Sequence, residues 1–255
     1  MRAKKLLVLF LAAVCMLAVL LSCVFIFSVE SINVTYAVGD QTDVSEFNAS
    51  LDKYKGKNLL FVELDEIKED LKANPYFEIE DISKSYPNVI NVTVRERLEV
   101  YWFENNGVYY TLDQTGFILK SQTEQPTSNN QIQLTFDEHI SFVSLGVGTK
   151  IKTNDDALIQ SVFSMAQSVR LTDCINKISI LSKPEKDVTF FTYTGVKITI
   201  RNVEQLGTDK AVEAFEFYDN LDDYSKAFNE IIGFYNEHLG RVDADWSENI
   251  GGANE

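Results

Sequence analysis

The sequence predicts an α+β protein: an N-terminal transmembrane helix, a β-α-α-β-β unit, then a mixed α/β second domain with an antiparallel-rich sheet. Three observations predict this. Residues 6–27 form an apolar run of 22 residues without a charge. Several later segments alternate polar and apolar residues with the period of a half-buried strand, and others place apolar residues three and four apart, the period of an amphipathic helix.

The apolar run comes first. At about 1.5 Å per residue its 22 residues cover a hydrocarbon core of roughly 30 Å. Arg2, Lys4 and Lys5 precede it and Glu30 follows, so the positive-inside bias predicts a cytoplasmic tail of residues 1–5 and an extracytoplasmic C-terminal part in a single-pass cell-membrane protein. A cleaved signal peptide would have a shorter apolar stretch and a small-x-small site, whereas this run ends in Phe25-Ile26-Phe27. Leu20-Leu21-Ser22-Cys23 also resembles a lipobox, with Cys23 as the acylated residue. Val24 continues the apolar run where a lipoprotein turns polar.

Beyond the helix lie 20 basic and 38 acidic residues, a formal charge of −18. Nucleic acid and anionic lipid both demand a basic face, so the composition argues against either as a partner. Cys15 and Cys23 fall within the apolar run, which leaves Cys174 alone outside it. The fold therefore rests on its core rather than on an internal disulfide.

Residues 31–36 alternate polar and apolar, a strand, and Gly39-Asp40 marks a turn. Val44, Phe47, Leu51 and Tyr54 share one helical face over residues 44–55, closed by Gly56. Asp65 is expected to cap a second helix carrying Ile67 and Leu71, stopped by Pro75. Two strands follow at residues 79–86 and 89–103, joined by Pro87-Asn88, with Ile90, Val92 and Val94 on one face.

The motifs in this stretch resemble the POTRA domain of the FtsQ/DivIB bacterial cell-division proteins. They are Gly56-Lys57-Asn58-Leu59-Leu60, Val62-Glu63-Leu64-Asp65-Glu66-Ile67, Leu71, Asn74-Pro75-Tyr76, Tyr86-Pro87-Asn88 and Val94-Arg95-Glu96-Arg97. The spacing between Pro75 and Pro87 fits the family, as does the short uncharged helix ahead of the first POTRA strand. On this basis residues 28–97 are the POTRA domain, 98–250 the family's β domain, and 251–255 a C-terminal tail.

In the second domain, residues 110–119 resemble the family's opening hairpin, with Asp113 to Gly116 as its polar turn. A loop is expected at 122–130, a strand at 140–145, a helix at 155–169, and strands at 175–181, 188–193 and 196–201. Ala211, Phe215, Tyr218, Leu221, Phe228, Ile231, Tyr235 and Leu239 recur at helical intervals, as one helix or two. Gly240-Arg241-Val242-Asp243-Ala244-Asp245-Trp246 resembles the family's approach to its final strand, which the Gly251-Gly252 end makes look short.

No residue pattern positions a nucleophile, an acid–base pair, a metal or a cofactor. His139 and His238 are far apart, Asp137-Glu138-His139 reads as a solvated charge run, and no serine sits in a Gly-x-Ser-x-Gly turn. Cys174 reads as a small core residue. Glu96-Arg97 reads as a solvated strand end, with partner docking as the alternative, and the aromatic groups Tyr101-Trp102-Phe103 and Tyr109-Tyr110 read as packing.

The resemblance implies a non-enzymatic divisome scaffold acting in septum formation, without cofactors. It would bind small bitopic proteins of the FtsB/DivIC and FtsL kinds and help regulate the septal peptidoglycan synthase, with the bilayer held through residues 6–27. It also implies a partner surface at Arg241, Val242, Asp243, Asp245 and Trp246, where an exposed edge strand accepts a partner strand. The alternative is a membrane-anchored module that binds peptide or peptidoglycan, which requires an aromatic platform or a polar groove.

Overall fold

The computed structural model describes residues 2–36, 45–127, 130–168, 174–183, 186–203, 212, 215–216 and 218–220, together with the backbone of 229–236 and 241–248. The chain divides into two compact units, Met1–Arg97 and Leu98–Glu255.

The first unit opens with α1, Arg2–Ile26, whose window Leu9–Ile26 has a mean hydropathy of 3.0 and buries none of its residues. It is long and apolar enough to cross a membrane. Strand β1 (Ser31–Tyr36), helices α2 (Ser45–Asp52) and α3 (Leu64–Leu71), and strands β2 (Phe77–Ser85) and β3 (Val89–Glu96) follow, giving β-α-α-β-β. The sheet order is β1-β3-β2, with β1 parallel and β2 antiparallel to the central β3. Alternation places Ile90, Val92 and Val94 inward, where they are fully buried with Phe47, Leu51 and Tyr54 from the α2 segment and Ile67 and Leu71 from α3. Burying such a set of large apolar side chains is the main stabilising term of the unit.

Two details of this unit differ from expectation. Asp65 does not cap α3: Glu63 occupies the N-cap position without a side-chain hydrogen bond, and Asp65 and Glu66 lie in the first turn, where their charges favour the helix dipole. The strand expected at 89–103 is two strands, because β3 ends at Glu96 in one unit and β4 (Tyr101–Asn105) begins in the other. Arg97 is mostly buried and its Nη2 lies 3.3 Å from Glu78 Oε1, so it is not a solvated end.

The second unit is built on a nine-stranded sheet. Its further strands are β5 (Val108–Leu112), β6 (Ile118–Gln122), β7 (Ile132–Phe136), β10 (Ile175–Leu181), β11 (Asp187–Thr192), β12 (Lys197–Ile200), β13 (Asn229–Asn236) and β14 (Arg241–Glu248). The small strands β8 (Phe142–Ser144) and β9 (Lys152–Thr153) pair separately, ahead of α4 (Asp156–Ser168). The order is β14-β13-β12-β11-β10-β7-β4-β5-β6. Five of its eight pairings are antiparallel and three parallel. Leu158, Ile159, Val162, Phe163, Met165 and Ala166 form the buried face of α4 and join the core with Phe103, Leu134, Ile178, Phe190 and Ile198.

Here too the sequence reading needs correction. Strand β7 falls in a stretch left between the expected loop and the strand expected at 140–145, of which β8 forms only Phe142–Ser144. Ile231 and Tyr235, expected on a helix, lie on β13, and residues 241–246 are themselves part of the eight-residue strand β14 rather than an approach to a short one. Ala211, Leu221, Phe228, Leu239, Gly240 and His238 lie outside the described residues, as do Val44, the Gly39-Asp40 turn and the tail 251–255.

Candidate functional site

The motif residues of the first unit separate into two ends of its sheet. Register sets Ser31 opposite Val89 and Ser85 opposite Val89, so the start of β1, the start of β3 and the end of β2 are level beside the end of α1. The turn after α2 is tied to the same end. Gly56, at φ +80°, donates its N–H to Val29 O at 2.9 Å, Val29 N–H donates to Lys57 O at 2.8 Å, and Leu59 N–H donates to Phe27 O at 2.6 Å. Asn58 shapes the turn from within, its Oδ1 accepting from Leu60 N–H at 3.0 Å, and Leu59 is fully buried. Tyr86 and Pro87 form the hairpin at this end, with Tyr86 packed edge-on to Phe27.

Pro75, Glu96 and Arg97 belong to the opposite end. Arg97 N–H donates to Tyr76 O at 2.7 Å, and Glu96 pairs with Phe77. Gly56, Asn58, Leu59, Leu60, Tyr86 and Pro87 are thus brought together, while Pro75, Glu96 and Arg97 are not near them. Their geometry is that of turn-making and strand-ending residues rather than of one reactive centre.

Beside this frame sits a small polar cluster. Tyr54 is fully buried and donates its hydroxyl to Asp70, which also pairs with Lys53 Nζ at 2.5 Å. Burial, followed by the hydrogen bond and charge of Asp70, holds the Tyr54 phenol well above its ordinary range. Lys53 and then Tyr54 hold the Asp70 carboxyl below the usual carboxylate range.

Arg241, Val242, Asp243, Asp245 and Trp246 all lie on β14, the last strand of the nine-stranded sheet. Among the described residues β14 pairs on one side only, with β13. A strand repeats every two residues, so Val242 and Trp246 share one face and Arg241, Asp243 and Asp245 the other. Register extends the first face inward: Trp246 stands opposite Ile231, Ile231 beside Ile198, Ile198 opposite Phe190, and Phe190 opposite Ile178. Ile178, Phe190 and Ile198 are all fully buried core residues. Trp246 therefore occupies the outermost position of the core-side row.

The other face of the sheet carries a cleft of about 620 Å³ whose lining includes Trp102, Pro126, Gln131, Gln133, Lys177 and Tyr193. Gln131 is buried; its Nε2 donates to Glu99 Oε2 at 2.6 Å, and its Oε1 has no partner among the described residues. Sequence reasoning missed this residue, because a single amide at a loop end gives no periodic or motif signal.

Asp137-Glu138-His139 is a loop cap rather than a wholly solvated charge run. Asp137 accepts from the N–H groups of His139 at 3.2 Å, Ile140 at 3.1 Å and Ser182 at 2.8 Å. Among the described residues no three His, Cys, Asp or Glu side chains gather as metal ligands. Cys174 is half-buried against the core.

Residues 27–97 match the family described as POTRA domain, FtsQ-type. Cell division protein DivIB of Clostridium botulinum is 23% identical over 159 residues, 62% of this chain and 60% of the relative. DivIB of Clostridium tetani is 22% identical over 149 residues, 58% of this chain and 55% of the relative, and DivIB of Clostridium acetobutylicum 25% over 124, 47% and 48%. The chain thus spans about half to three-fifths of the length of these curated relatives. A solved structure, the major extracytoplasmic domain of the trans isomer of DivIB from Geobacillus stearothermophilus, is 14% identical with a TM-score of 0.29, covering 50% of this chain and 98% of that one.

Proposed function

We propose that this chain, a member of the FtsQ/DivIB family, is a non-enzymatic scaffold of the bacterial division machinery, anchored by α1 with its N-terminus in the cytoplasm and its two units outside. Its partners are small bitopic proteins of the FtsB/DivIC and FtsL kinds and, through them, the septal peptidoglycan synthase. Anchoring partners and scaffold in one membrane raises their effective concentration, so modest contacts suffice.

The observation that carries this reading is the place of β14 at the sheet edge. A strand paired on one side presents a row of main-chain donors and acceptors that an incoming strand can complete. Specificity comes from the alternation, with Val242 and Trp246 offering an apolar row beside the core and Asp243 and Asp245 an acidic row opposite. Depletion in the native host with membrane pull-down of the tagged chain tests the role. Filamentous cells and co-purified small bitopic proteins are expected; normal division contradicts it.

The cleft over the second face favours a second reading, a peptide- or peptidoglycan-binding module. The buried Gln131 Oε1 requires a hydrogen-bond donor, Lys177 suits an anionic group, and the exposed Tyr193 offers aromatic surface. Sedimentation with purified cell wall separates the two. Under the second reading Gln131→Leu reduces co-sedimentation and Trp246→Ala does not; under the first, neither changes it.

A further inference from the structure

We infer that the end of the first unit nearest α1 is itself a membrane-surface contact, in which Leu60, Phe61 and Tyr86 enter the bilayer interface beside the helix exit. This rests on the reading of α1 as a membrane span.

The exposed residues are unusual for a soluble surface. Phe61 is 82% exposed, Tyr86 60% and Leu60 45%, whereas their neighbours Leu59 and Val62 are buried. The turn that presents them is held by its own hydrogen bonds: Leu60 N–H to Asn58 Oδ1 at 3.0 Å, and Phe61 N–H and Val62 N–H to Asn58 O at 3.0 and 3.2 Å. In water, a fixed turn showing two adjacent large apolar side chains forgoes their burial.

Position supplies the occupant. The turn is bonded to the three residues that directly follow α1, through Leu59 N–H to Phe27 O, the bridge between Ser28 and Asn58, and the paired contacts of Val29 with Gly56 and Lys57. The hairpin bearing Tyr86 is level with it, since Glu30 N–H donates to Asn88 O at 2.9 Å and Tyr86 meets Phe27. A surface one or two residues from the end of a spanning helix meets the headgroup layer, where aromatic rings are favoured. Lys55 and Lys57 on the same turn are half-exposed but pair with Asp52 at 2.7 Å and Glu66 at 4.0 Å, so the contact rests on the apolar and aromatic side chains rather than on charge. The α1 span and this rim would together fix the unit against the bilayer rather than leave it on a swivel.

The test uses the full chain in vesicles of phosphatidylcholine and phosphatidylglycerol. Its three native cysteines are replaced, and an environment-sensitive fluorophore is attached at Phe61→Cys, at Tyr86→Cys, or at Lys72→Cys, which lies just past α3 towards the opposite end of the sheet. Labels at 61 and 86 are expected to be several-fold less quenched by aqueous iodide than the label at 72, and quenched by headgroup-proximal nitroxide lipids. Equal iodide quenching at all three positions, in a chain that floats with the vesicles after alkaline carbonate, overturns the inference alone. A chain that does not float overturns it together with the span. Because Phe61 and Tyr86 are exposed, their replacement leaves the core intact, and concordance between the two positions guards against a local artefact.

Discussion

Trp246 stands directly opposite Ile231 in the antiparallel ladder between the last two strands, and Ile231 stands beside the fully buried Ile198. The terminal strand is thus an extension of the core-side row and the open edge of the sheet at once. A partner strand added there would continue the row outward, placing its own apolar residues next to Val242 and Trp246 and its polar ones next to Asp243 and Asp245.

If Trp246 is the anchor for such a strand, Trp246→Ala lowers affinity for the partner ectodomain by about 2 kcal/mol or more, as at interface hot spots, while Tm stays nearly unchanged. Calorimetric titration beside thermal unfolding separates the roles. A loss of stability equal to the loss of affinity assigns Trp246 to the core instead.

Gly116 closes the hairpin between β5 and β6 at φ +80°, and a Cβ there would collide with the ring of Phe163 on α4. Gly116→Ala should destabilise the chain by about 2 kcal/mol or more through backbone strain and overpacking. Adding Phe163→Leu should restore part of that loss in urea unfolding, and simple additivity of the two changes would refute the contact.

The same turn depends on Asp113, a buried residue whose Oδ1 accepts from Thr115 N–H at 2.7 Å, Thr115 Oγ1 at 2.8 Å and Phe117 N–H at 2.9 Å. A hydrogen bond to a charged acceptor contributes about 1.5–3 kcal/mol. Asp113→Ala is expected to fall in that range and Asp113→Asn below it, by chemical denaturation.

Asp70 links acid stability to the first unit. Its carboxyl is held low by Lys53 and then Tyr54, so the folded chain binds the proton less tightly than the unfolded one. Its contribution is present above the unfolded value of about 3.9 and disappears as pH falls through the lower folded value. Tm measured from pH 6 to pH 2 should drop below about pH 4 and do so less steeply in Asp70→Asn; identical profiles would remove Asp70 from the account.

How much of this was legible follows from what periodicity records. Ile90, Val92 and Val94 announce a half-buried strand, and Leu158, Val162 and Phe163 a helix face, because one buried face imposes one period. Ile231 and Tyr235 do not discriminate, since residues four apart share a face in both helix and strand, and pairing with β12 and β14 decides the outcome. The alternation from 89 to 103 continues across the boundary between two units, where pattern is blind to a change of sheet. The chemical content of Gly56 and Asn58 was visible as a motif, but the exposure of Phe61 was not, because hydropathy alone calls it core.

Hydrogen exchange on the chain with and without the partner ectodomain tests the edge-strand claim most directly. Amides of Arg241–Glu248 bonded to β13 should already be slow, and the alternate amides should slow only when the partner binds. Saturating partner with no change anywhere in Arg241–Glu248 would contradict the docking role of this strand.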